Sequence, residues 1–106
     1  MSHYAVIREA GPAWLPGGSA AQPGVGDHAA FMNDLADASF VLFAGPLAGT
    51  ETGRLRVLLI VNADTEDEIR HRLAPDPWAQ ADRLTITSIE QWNLFVGAER
   101  LSALSS

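Results

Sequence analysis

Apolar residues recur along this chain at two spacings, every second position and every third or fourth, and the switches between them mark six elements. His3 to Glu9 is short and rich in β-formers, a first strand. His28, Phe31, Met32 and Leu35 then fall at i, i+3, i+4 and i+7, which predicts a helix running to about Ala38. Asp27 is expected as its N-cap, while Asn33, Asp34 and Asp37 lie off the stripe, toward solvent. Phe40 to Ala44 is a second strand ended by Gly45-Pro46, and residues 47–53, with Gly49 and Gly53, connect it to a third. That third strand, Leu55 to Val61, is apolar on both faces: Leu55, Val57, Leu59 and Val61 on one, Leu58 and Ile60 on the other. Thr65-Glu66-Asp67-Glu68 is a capping box that opens a second helix with the stripe Ile69 and Leu73. Its first turn is acidic and its last holds Arg70, His71 and Arg72, as the macrodipole favours. Pro75-Asp76-Pro77-Trp78 ends that helix. A fourth strand spans Leu84 to Ile89 and is expected to resume through Trp92 to Val96. Ser88 and Glu90 interrupt its apolar side, which predicts a bulge near Ser88. Residues 98–106 read as a tail.

The order β-α-β-β-α-β predicts a ferredoxin-like α+β fold, one domain over residues 1–106 with a four-stranded antiparallel sheet. Its connectivity brings three connections to one end of the sheet: residues 10–26 with the start of the first helix, the Gly45–Gly53 hairpin, and the Pro75–Trp78 turn. Trp14, His28, Gly45, Pro46, Asp76 and Trp78 therefore gather there, a usual place for a site. Helices cover one sheet face in this layout, so a third strand apolar on both faces predicts a homodimer packed sheet to sheet. Residues 10–26 hold five Gly and three Pro and form a long loop. Its single large ring, Trp14, points to a mobile lid over the site.

Composition narrows the chemistry. No aliphatic run approaches the roughly 20 residues of a membrane span. Strand-like sequence by Tyr4 leaves no room for a signal peptide, so a cytoplasmic location is expected. Cysteine is absent, which excludes thiol nucleophiles and thiolate metal sites. All seven basic residues are arginine, so no lysine can form a Schiff base. A net charge of -6 argues against nucleic acid as partner. The expected partners are a second copy and a small molecule, without membrane, metal or cofactor.

Each candidate residue has a plain reading and a chemical one. His28 either finishes the apolar stripe or transfers protons near neutral pH. Asp76 either caps the turn begun by Pro77 or orients His28. Trp14 and Trp78 either plug the core or wall a planar ligand. Arg8, near the end of the first strand, either is solvated or paired with a surface acid, or it pairs with an anionic substrate group.

Four segments carry a family likeness: Asp27-His28-x-x-Phe31-Met32-x-x-Leu35, Phe43-Ala44-Gly45-Pro46-Leu47, Ala74-x-Asp76-Pro77-Trp78 and Ile89-x-x-Trp92. Together they resemble the YCII-related family, in its longer-looped branch, over about Tyr4 to Gly97. The resemblance implies a dimeric α+β barrel, similar in fold to muconolactone isomerases, with His28 and Asp76 as the catalytic pair. One branch resembling this family performs dehydrochlorination of a chlorinated hydroxyquinol. The expected function is acid–base chemistry of lyase, isomerase or dehalogenase type on a cyclic or aromatic compound. The alternative is a non-catalytic ligand-binding or structural dimer.

Overall fold

The β-rich runs become four strands, β1 (Ser2–Ala10), β2 (Val41–Pro46), β3 (Arg56–Ala63) and β4 (Leu84–Gln91). The periodic segments become helices α1 (Val25–Asp37), α2 (Glu66–Leu73), the short α3 (Pro77–Gln80) and α4 (Ala98–Ser105). This computed structural model describes residues 2–49 and 54–105. The tip of the predicted β2–β3 hairpin, residues 50–53, lies outside that range. The sheet is antiparallel throughout in the order β2-β3-β1-β4, the ferredoxin-like arrangement predicted from the element order.

Register decides which side chains meet the helices. Tyr4 opposes Val61, Val6 opposes Leu59 and Arg8 opposes Val57, so these share one face. On that face Val6, Leu59 and Val61 are fully buried with Leu35 of α1 and Ile69 and Leu73 of α2. A second cluster, Ala10, Leu55, Trp78 and Leu84, closes the end of the sheet where the connections converge. The expected bulge is present. Ile7 pairs with Ser88 but Arg8 pairs with Ile86, which leaves Thr87 as the extra residue, opposite Arg8.

Several boundaries differ from the sequence expectation. Helix α1 starts at Val25, so its N-cap is Gly24 (φ 77°) and not Asp27, which sits exposed in the first turn. An acid there still suits the helix dipole. Strand β2 runs through Gly45-Pro46 instead of stopping before them. A proline is tolerated because β2 is an edge strand, with no ladder on its free side. The capping box holds: Thr65 Oγ1 accepts from Glu68 N at 3.1 Å, and Glu68 reaches back to Asp64 N at 2.9 Å.

Trp92 to Val96 does not continue β4. Trp92 N makes one last bond to His3 O (2.8 Å), and the chain then leads into α4, which packs against β2. Ile60 and Leu101 are each 7% exposed yet belong to neither helix-side cluster. The outer sheet face is thus partly covered within one chain, where the tail reading had left Ile60 open.

Candidate functional site

Asp76 is the centre of the site, and the chain around it explains why. Pro75 and Pro77 flank it with fixed φ, and Pro77 occupies the first turn of α3, where no backbone donor is needed. Asp76 Oδ1 caps α3 by accepting from Trp78 N at 2.9 Å. The carboxylate has no exposed surface. It accepts from Arg8 Nη2 at 2.8 Å and lies 2.9 Å from His28 Nδ1 through both oxygens. The cap and the contact with His28 coexist on one carboxylate: Oδ1 meets Trp78 N and His28 Nδ1, and Oδ2 meets Arg8 Nη2 and the same Nδ1.

Burial would by itself push the Asp76 carboxyl upward. The His28 hydrogen bond, the Trp78 N–H and the Arg8 charge outweigh it and hold Asp76 below the ordinary aspartate range. An ionised carboxylate accepts only, so the proton on the shared bond belongs to His28 Nδ1. That leaves Nε2 of the neutral ring as a lone pair.

Position N4 of α1 carries His28, whose own N–H bonds back to Gly24 O at 2.9 Å. The ring is stacked on Trp78, centroids 3.8 Å apart and planes 9° from parallel. Trp78 is buried and donates Nε1–H to Pro23 O at 2.9 Å. The indole thus fixes the imidazole plane and ties the end of the long loop to α3. With 16% of its side chain exposed, His28 is the open member of the group.

The exposed part faces a cavity of about 310 Å³. Its walls come from α1 (His28, Met32), β2 (Gly45, Pro46), β3 (Val57) and Trp78, with Arg8 beneath. Gly45 contributes backbone, and an added Cβ there would meet nothing within 4 Å. The space is mostly apolar with a few convergent polar groups, the usual make-up of a small-molecule site.

Of the residues singled out from sequence, His28, Asp76, Arg8, Gly45, Pro46 and Trp78 converge here. Arg8 is 2% exposed and pairs with Asp76 instead of standing at a solvated strand end. Trp14 does not line the cavity. It packs perpendicular to Trp78 at 5.4 Å against the second core cluster. The loop around it is stitched by buried Gln22, whose amide bonds Leu15 N, Leu15 O and Gly18 O at 2.6–2.9 Å. Sequence reading missed Met32 and Val57 as walls, since both also complete core stripes. It also missed Gln22, which sits among the Gly and Pro of residues 10–26 without any periodic signal.

Comparison with known proteins agrees with this architecture. A family model described as the YCII-related domain matches residues 2–93. A similar solved structure is the 5-chloro-2-hydroxyhydroquinone dehydrochlorinase of Burkholderia phenoliruptrix AC1100, in complex with 2,5-dihydroxybenzoquinone. It is 22% identical with a TM-score of 0.64, over 88% of this chain and 95% of that one, a likeness of fold. No curated protein sequence matches the chain significantly. Among the described residues, no helix is long and apolar enough to cross a membrane.

Proposed function

We propose that this chain, which belongs to the YCII-related family, is an acid–base enzyme acting on a small cyclic or aromatic compound, of lyase or dehalogenase type. One observation carries the reading: the buried Asp76 carboxylate holds His28 Nδ1 at 2.9 Å while the same ring borders a largely apolar cavity. A histidine so held has a fixed tautomer and a free Nε2, the arrangement a general base needs. The dehydrochlorinase of the same fold, solved with a planar quinone, supports the ring-shaped ligand.

In this reading His28 Nε2 takes a proton from the ligand. The ligand reacts as its keto tautomer, in which the chlorine-bearing ring carbon is tetrahedral. The proton taken is that of a ligand hydroxyl, and its O–H pair becomes a C=O bond. The adjacent ring double bond shifts onto the chlorine-bearing carbon, and chloride departs with the C–Cl bonding pair. Asp76 stabilises the imidazolium that forms, and Arg8 keeps Asp76 ionised. Trp78 is a positioning residue that fixes the imidazole plane. Gly45 and Pro46 close the cavity on the β2 side. The working unit is a homodimer, its outer sheet faces packed together through residues such as Leu58, Phe43 (52% exposed) and Trp92 (43%).

The test is turnover of a panel of chlorinated hydroquinones, read by chloride release and quinone absorbance. The wild type is expected to release chloride, with kcat in His28→Ala lower by about 10²–10⁴-fold. Ring compounds that bind without any turnover across the panel would instead favour the non-catalytic dimer.

A further inference from the structure

A second cavity, of about 390 Å³, opens between the end of α2, α3 and β4. Leu73 and Ile86 line it, whereas Met32 and Val57 belong to the first cavity; Arg8 and Leu84 border both. Nothing in the proposed reaction uses this second space.

Arg8 gives it a chemical character. Its guanidinium is 2% exposed, and Nη2 is occupied by Asp76 at 2.8 Å and by Met32 Sδ at 3.8 Å. Asp76 and Met32 take only that nitrogen, while Nε and Nη1 are buried without a hydrogen-bond partner. Buried donors are almost always satisfied, so an unpaired pair on a permanent cation marks a missing acceptor. A second cation stands at the same cavity. Arg70 is half exposed, and its contact with Glu66 at 3.0 Å is a surface i,i+4 pair of the weak kind. The remaining walls are chiefly apolar, from Leu73, Ala79, Leu84 and Ile86.

We propose that this second cavity binds a small organic anion, a carboxylate on a short apolar body, held between Arg8 and Arg70. The inference is independent of the reaction proposed above. It has a consequence for His28 nonetheless, because the guanidinium that meets the anion is the one that neutralises Asp76. Filling the second cavity places a second anion on that guanidinium, through the nitrogens Asp76 leaves free.

Benzoate is a suitable probe, with benzyl alcohol as its uncharged counterpart, followed by methyl and arginine side-chain NMR of the whole chain. Benzoate is expected to move the methyls of Leu73 and Ile86 and the Nε–H of Arg8 in a saturable way. Benzyl alcohol is expected to bind at least about tenfold more weakly. Ala79→Phe, which fills the cavity, should abolish these shifts, and the surface change Arg70→Gln should weaken binding several-fold in a chain that still folds. No saturable shift at Leu73 and Ile86 would overturn the proposal. So would shifts confined to Met32 and Val57, or equal binding of the alcohol.

Discussion

Asp76 shows how one residue type serves two readings at once. An aspartate between two prolines is legible as a helix cap, and it is one. What the sequence does not show is that Arg8, 68 positions away, lands on the same carboxylate. A strand-end arginine has no periodic signal that tells burial from exposure, and the pairing depends on the register of β1 against its neighbours. The ion pair also sets a pH dependence. The folded Asp76 carboxyl titrates below its unfolded value, so its stabilisation is fully present above the unfolded value of roughly 3.9 and is lost as pH falls below it. Asp76→Asn removes that titration and leaves Arg8 buried without a counter-charge. It is expected to cost about 3–5 kcal/mol at neutral pH and to flatten the acid limb of stability, measured by denaturant unfolding between neutral and acidic pH. An unchanged acid limb would remove Asp76 as its source.

Among the elements, strands and helices with clear periodicity were readable, and the misplacements have physical causes. Asp27 looked like a cap because acids favour both the cap and the first turn, and Gly24 took the role through its left-handed φ. Among its described side chains helix α4 buries one, Leu101, too faint a stripe to separate from a tail. The bulge was legible because two polar residues broke a strict alternation. It falls opposite Arg8, the strand residue that reaches Asp76. The long loop reads as a lid by composition, yet Gln22, 2% exposed, pins its middle. Gln22→Leu strands the Leu15 and Gly18 backbone groups and should cost about 1–3 kcal/mol. Hydrogen exchange should then rise through residues 15–22 while β1 and β3 stay protected. Fast exchange there in the wild type would restore the lid.

At the scale of the whole molecule, element order alone fixes which end of the sheet collects the connections, which is why the site's location was readable before its contacts were. The outer face was only half readable. A strand apolar on both sides called for cover, but α4 and a second copy are both able to supply it. Light scattering is expected to give about twice 11.3 kDa, and Leu58→Asp should return the chain to a monomer. A monomeric wild type would leave α4 as sufficient cover. The proposed function turns on one imidazole bordering a cavity, and its protonation pattern is directly visible. Nitrogen-15 NMR of the His28 ring in its neutral form should show the proton on Nδ1 and a bare Nε2, with that preference lost in Asp76→Asn. A neutral ring protonated on Nε2 in the wild type would contradict the account, because the nitrogen facing the ligand could then no longer act as the base.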